Sequence, residues 1–275
     1  MLAQGKKVTN VRIGFIGAGN MGGAIIRGIL DNNIAEPADI IVTDADQKKV
    51  TELADRYNIK QGLANETVAA AVDMLFLCVK PQVVYQVIDE IMSSLRDETV
   101  VVSIVAGQSI ERLTDAFDMD TIKLVRVMPN TPALVGEGMA AVAPNANVTS
   151  EQIDEVMAIF NGLGRADIIS EHLMDAVTGV SGSSPAYVFM LIEAMGDAAV
   201  QGGMPRDKAY IFAAQAVLGS AKMVLESGMH PAELKDMVCS PSGTTIEAVS
   251  VLEQEGMRGA VVKAVKACID KSRRM

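Results

Sequence analysis

Apolar residues fall into two rhythms along this chain. In the first half they come as short, mostly apolar runs: Val11 to Ile16, Ile40 to Thr43, Met74 to Val79, Thr99 to Val105 and Ile122 to Val127. Between them apolar positions recur every three or four residues, as in Val50, Leu53, Ala54 and Tyr57, and in Val84, Val87, Ile88 and Ile91. The runs predict buried strands, and the longer period predicts helices packed on them. Strands alternating with helices predict a parallel sheet covered on both faces.

From about Glu171 the strand rhythm ends. Ala186–Val200, Asp207–Glu226, Pro231–Val238, Thr244–Leu252 and Met257–Lys271 read as helices, with breaks at Gly228, Pro241 and Gly256. The expected fold is therefore α/β: a parallel-sheet domain over residues 1–168, then an all-helical domain over 169–275. Segments such as Ala213–Met223 carry more apolar surface than a small domain buries, which predicts a helical dimerisation face.

The loop Ile16-Gly17-Ala18-Gly19-Asn20-Met21-Gly22 follows the first strand and opens a helix. Glycines at this spacing and in this place predict a Rossmann-type dinucleotide cradle. Gly17 permits the tight turn, Gly19 lets the backbone approach a pyrophosphate, and Gly22 lets helix and strand pack. Asp44 ends the second strand 22 residues after Gly22, where an acid meets the ribose hydroxyls of NAD and repels a 2′-phosphate. Lys48 and Lys49 follow on the next helix and are equally read as solvated charge. The cofactor is expected to be NADH or NADPH.

The second chemical feature is the turn Cys239-Ser240-Pro241-Ser242-Gly243-Thr244-Thr245. Pro241 stops the preceding helix, which Pro231 opens. Thr244-x-x-Glu247 matches a capping box, so the next helix is expected to begin around Ser242 to Thr244. A helix start offers unpaired N–H donors and a partial positive charge to a carboxylate, and the nearby hydroxyls add donors. Taken alone, the turn reads equally as caps and connection.

Composition narrows the field. The net charge of −10, no Trp and only ten Phe and Tyr residues disfavour nucleic acid as a partner. No apolar run approaches the roughly 20 residues of a membrane span. Met1–Asn10 carries Lys6 and Lys7 with no apolar segment behind them, an expectation against secretion. Three scattered cysteines, Cys78, Cys239 and Cys268, show no metal spacing and predict a reducing cytoplasm. Two distant histidines, His172 and His230, predict no metal site.

The spacing Leu234, Val238, Ser240, Gly243, Thr245, Ala248, Leu252 resembles the signature of pyrroline-5-carboxylate reductases. The segment Asp175–Tyr187 resembles the same family, as do Val79-Lys80-Pro81, Ile104-Val105-Ala106-Gly107 and Met128–Pro132. Ser242 departs from it, because the family usually has Gly there; so does Asp44, where small polar residues are common.

The resemblance implies hydride transfer to the C=N carbon of 1-pyrroline-5-carboxylate, giving L-proline. It implies that Val79, Lys80, Pro81, Ile104, Val105 and Ala106 line the nicotinamide and its ribose, with Asn65 on the adenosine side. Thr245 would hydrogen-bond the ring nitrogen, while Thr244 and the Gly243 N–H hold the carboxylate and Ser240 assists. Glu171 matches a position that contacts substrate in relatives, and reads equally as a helix-entry acid. The resemblance also implies a homodimer, with rings of dimers occurring in relatives. Rival readings are a related imine reductase, a β-hydroxyacid dehydrogenase and a non-catalytic dinucleotide-binding redox sensor. The hydroxyacid chemistry would need a catalytic lysine, and Lys208, Lys222 and Lys235 sit in no matching motif.

Overall fold

The computed structural model describes residues 11–274. Lys6 and Lys7 lie outside the described residues. The chain divides into two compact units, one formed by the residues up to Gly182 together with those from Ile269 on, the other by Ser183–Cys268.

The first unit is built on eight strands: β1 (Ile13–Ile16), β2 (Ile40–Thr43), β3 (Lys60–Gln61), β4 (Met74–Leu77), β5 (Val100–Ser103), β6 (Lys123–Met128), β7 (Gly138–Pro144) and β8 (Gly164–Ile168). Their order across the sheet is β3-β2-β1-β4-β5-β6-β7-β8. Every neighbouring pair is parallel except β6 with β7, which is antiparallel. The parallel part is the expected one, and the reversal at β7 was not foreseen. The helices are α1 (Asn20–Asp31), α2 (Gln47–Tyr57), α3 (Asn65–Ala71), α4 (Val84–Ile91), α5 (Ile110–Phe117), α6 (Ser150–Asn161) and α7 (Met174–Val177).

Successive strand residues point to opposite faces of the sheet. Ile13, Phe15, Met74 and Phe76 therefore enter one core with Ile25, Ile29 and Phe160. Leu75, Leu77, Val101 and Leu124 enter the other with Val68, Val84, Ile88 and Phe117. Phe15 and Phe76 face each other in register and stack with ring centroids 4.7 Å apart. This two-sided burial is why the strands read as apolar runs and not as alternations.

The expected division at residue 168 falls inside the first unit. Met174 is buried against Ala141 and Ala143 of β7, and that packing keeps the segment after β8 with the sheet.

The second unit consists of α8 (Ser184–Gln201), α9 (Arg206–Ser227), α10 (Pro231–Val238), α11 (Thr244–Gln254) and α12 (Met257–Ser272), whose last residues belong to the first unit. These bounds follow the expected helices closely. Several large apolar side chains remain exposed here, among them Phe189 at 63%, Ile211 at 67% and Phe212 at 65%. Among the described residues no helix is long and apolar enough to cross a membrane.

Candidate active site

The glycine loop after β1 is locked by close approaches. Gly17 has φ +111°, and a Cβ there would lie 2.4 Å from the Cys78 carbonyl oxygen. A Cβ on Gly22 would lie 2.3 Å from the Gly17 carbonyl oxygen. Around Gly19 there is open space, and α1 begins with no side-chain cap. The helix start is thus left free for an anion to approach. Burial pushes the Cys78 thiol up, away from the thiolate, so this cysteine is inert packing beneath the loop.

A cavity of about 590 Å³ opens at the C-terminal ends of β1, β2 and β4. Its lining brings together the expected Ile16, Gly17, Gly19, Asp44, Asn65, Val79 and Lys80. Ala18, Asn20, Met21, Gly22 and Pro81 belong to the same two loops but do not line it. Ile104, Val105 and Ala106 lie apart from it as well; the Val105 side chain is buried in the core beside α4. Ile104 is half-buried and Ala106 is exposed.

Sequence reasoning missed Leu63, Glu66, Val83, Gln86 and Glu90, which also line the wall. Leu63 is 89% exposed at the rim, an apolar side chain spent on no core.

Asp44 is held from two sides. Its Oδ2 accepts the Ala18 N–H at 2.7 Å and its Oδ1 the Asp46 N–H at 2.8 Å. A carboxylate has about four acceptor sites, so capacity remains for two ribose hydroxyls. Lys49, also on the lining, lies 3.7 Å from the Asp46 carboxylate. The glycine loop, the open helix start and an acid at the end of β2 fit a bound dinucleotide.

In the second unit, α10 ends at Val238 and the chain turns through Ser240 to Gly243. The Gly243 N–H donates to the Ser240 carbonyl at 3.1 Å, and a Cβ on Gly243 would lie 2.3 Å from Ser240 Oγ. Gly243 thus closes the turn with its own N–H, and the donors left at the start of α11 are the N–H groups of Thr244, Thr245 and Ile246. The expected capping box is absent. Gly243 is the N-cap and Thr244 the first helical residue, one position too late for its hydroxyl to cap. No described residue hydrogen-bonds the hydroxyl of Ser240, Thr244 or Thr245, so all three are available to a ligand. Ser242 has φ +57°, in the left-handed region that favours glycine.

Glu171 lies in the first unit, where its Oε1 accepts Arg126 Nη1 at 2.9 Å and the Ile110 N–H at 2.7 Å. It pins the start of α5 to β6. Lys235 pairs with Asp236 at 2.6 Å, which raises its pKa, the opposite of what a catalytic amine needs. Among the described residues no group of His, Cys, Asp and Glu could hold a metal ion.

Residues 171–275 match the family model for pyrroline-5-carboxylate reductase dimerisation, and residues 12–107 match that for coenzyme F420-dependent NADP oxidoreductases. The chain is 53% identical over 264 residues to the pyrroline-5-carboxylate reductase of Escherichia coli (strain K12), covering 96% of this chain and 98% of that one. Among solved structures, it is similar to a pyrroline-5-carboxylate reductase from Coxiella burnetii with a TM-score of 0.90 and 30% identity, over 97% of this chain and 98% of that one. It is similar also to the Plasmodium falciparum pyrroline carboxylate reductase with NADP bound, with a TM-score of 0.87 and 34% identity, over 96% and 98% of the two chains.

Proposed function

The chain belongs to the pyrroline-5-carboxylate reductase family and catalyses the NAD(P)H-dependent reduction of 1-pyrroline-5-carboxylate to L-proline; we propose that it favours NADH. The observation that carries this preference is Asp44, lining the cavity at the end of β2 with acceptor capacity to spare. Two ribose hydroxyls can donate to it, whereas a 2′-phosphate would meet like charge. The Plasmodium relative holds NADP. Here the nearby base, Lys49, already faces Asp46.

Held by the glycine loop and Asp44, a reduced dinucleotide would supply the hydride for the C=N carbon. The chain's own residues hold the imine. The Thr244 and Thr245 N–H groups at the start of α11 bind the substrate carboxylate, helped by the hydroxyls of Ser240 and Thr244. The Thr245 hydroxyl donates to the ring nitrogen as its lone pair develops. A cyclic imine near neutral pH carries its own proton on nitrogen, so hydride addition gives the amine without a strong acid from the protein. This agrees with a turn rich in hydroxyls and lacking His and Lys.

The exposed apolar side chains of α8 and α9, with the dimerisation family match, support a homodimer; a ring of dimers is the further level that sedimentation velocity would resolve. Three free cysteines support a cytoplasmic location, testable by fractionation.

The deciding experiment is oxidation of NADH and NADPH at 340 nm with 1-pyrroline-5-carboxylate, run side by side. A higher kcat/KM for NADH supports the reading of Asp44. Equal or reversed values reject it.

A further inference from the structure

Asn65 opens α3 and Glu90 stands near the end of α4, both on the wall of the dinucleotide cavity. Asn65 Nδ2 donates to Glu90 Oε2 at 2.6 Å, while Glu90 Oε1 accepts Gln86 Nε2 at 3.0 Å. An ionised carboxylate can only accept. It therefore fixes which end of the Asn65 amide faces it: the NH₂ turns to Glu90 and the carbonyl oxygen turns away. No described residue donates to that oxygen.

We propose that Glu90 is a positioning residue for cofactor choice, holding the Asn65 amide so that it offers an acceptor to the adenosine half of the dinucleotide. A ribose hydroxyl or the adenine amino group can donate to that oxygen. A 2′-phosphate near neutral pH brings acceptor oxygens and a charge between about −1.5 and −2, and finds none of its needs met there. Gln86, on the second carboxylate oxygen, keeps Glu90 from turning aside. Glu66 adds a further negative charge to the same wall. The inference rests on the reading that this cavity seats the adenosine ribose, and it assigns part of the NADH preference to a pair distinct from Asp44.

The test is calorimetric titration of the full chain with NAD⁺ and NADP⁺, for wild type, Glu90→Gln, Asn65→Ala, the double variant and Asp44→Ser. Glutamine can both donate and accept, so it frees the Asn65 amide to turn its NH₂ to a phosphate. Glu90→Gln should tighten NADP⁺ about tenfold or more, the size of one charge-assisted hydrogen bond, and change NAD⁺ by less than about twofold. In the Asn65→Ala background the same change should have no effect, because the coupling runs through the amide. An equal gain with and without Asn65 would overturn the proposal in favour of bare charge repulsion. A shift with Asp44→Ser but none with Glu90→Gln would overturn it while leaving the ribose seat intact. Indifference of both dinucleotides to every variant would overturn the seat and the proposal together.

Discussion

The Asp44 carboxylate accepts the backbone N–H of Ala18 across 2.7 Å, tying the end of β2 to the glycine loop. The acid proposed to read the ribose thus also fixes the glycine loop proposed to carry the pyrophosphate. Asp44→Ser should weaken NADH binding about tenfold or more, the loss of a charged hydrogen bond being worth about 1.5–3 kcal/mol. It should improve NADPH relative to NADH. Titration with each cofactor checks both effects, and an unchanged ratio would remove Asp44 from ribose recognition.

Gly22 presses on the Gly17 carbonyl so closely that no Cβ fits between them. Gly22→Ala should raise the KM for either cofactor by at least about tenfold, because α1 must shift its open end away from the loop. The KM for 1-pyrroline-5-carboxylate serves as the control, and a larger effect there would contradict the assignment.

Thr245→Ala should lower kcat about tenfold to a hundredfold, the usual effect of losing one donor in a transition state. Thr245→Ser, which keeps the hydroxyl, should recover most of it. Steady-state rates at saturating cofactor decide the matter. Full activity in the alanine variant would end the role given to this hydroxyl.

Ser242 holds a left-handed conformation that costs a residue with a Cβ about 1–2 kcal/mol. Ser242→Gly removes that strain and adds about 0.5–1 kcal/mol of chain entropy to the unfolded state. The net expectation is stabilisation of up to about 1.5 kcal/mol, seen as a small rise in Tm. A fall in Tm would mean that the hydroxyl makes up for the strain.

Asp73 is bound by Arg12 through three hydrogen bonds and by Arg96 through one, and these hold its carboxyl far below the ordinary range; desolvation works against them. A lowered folded-state pKa means stability that is present above the unfolded value, about 3.9, and lost as pH falls through the folded one. The partners are a third or more exposed, so solvent screening limits the contribution to about 1 kcal/mol. Asp73→Asn should therefore lower Tm at pH 7, and the gap from wild type should narrow below about pH 4. A gap independent of pH would point to packing instead.

The legible parts of the molecule were those where one local rule acts alone. Ile13–Ile16 and Met74–Leu77 are apolar on both faces because both faces are covered, and the glycine loop after β1 has one well-known use. β7, Gly138–Pro144, is built of Gly, Ala, Met, Val and Pro, and its small side chains gave no strand signal. The exposed β8, Gly164–Ile168, gave none either. The Thr244–Glu247 pattern was present in sequence, but Gly243 takes the cap because Ser240 closes the turn onto it. Glu90 could not be found by periodicity, since an exposed glutamate on an amphipathic helix resembles any other until its partner is known.

The Asp175 carboxylate on α7 accepts the hydroxyl of Ser272 at 2.6 Å, so a side chain of the sheet-bearing unit is completed from the far end of α12. During synthesis the sheet, its helices and the whole of the second unit leave the ribosome before Ser272 does. Vectorial folding would thus bring the sheet to near completion with one seam still open. That seam is closed by residues translated after both the sheet and the second unit.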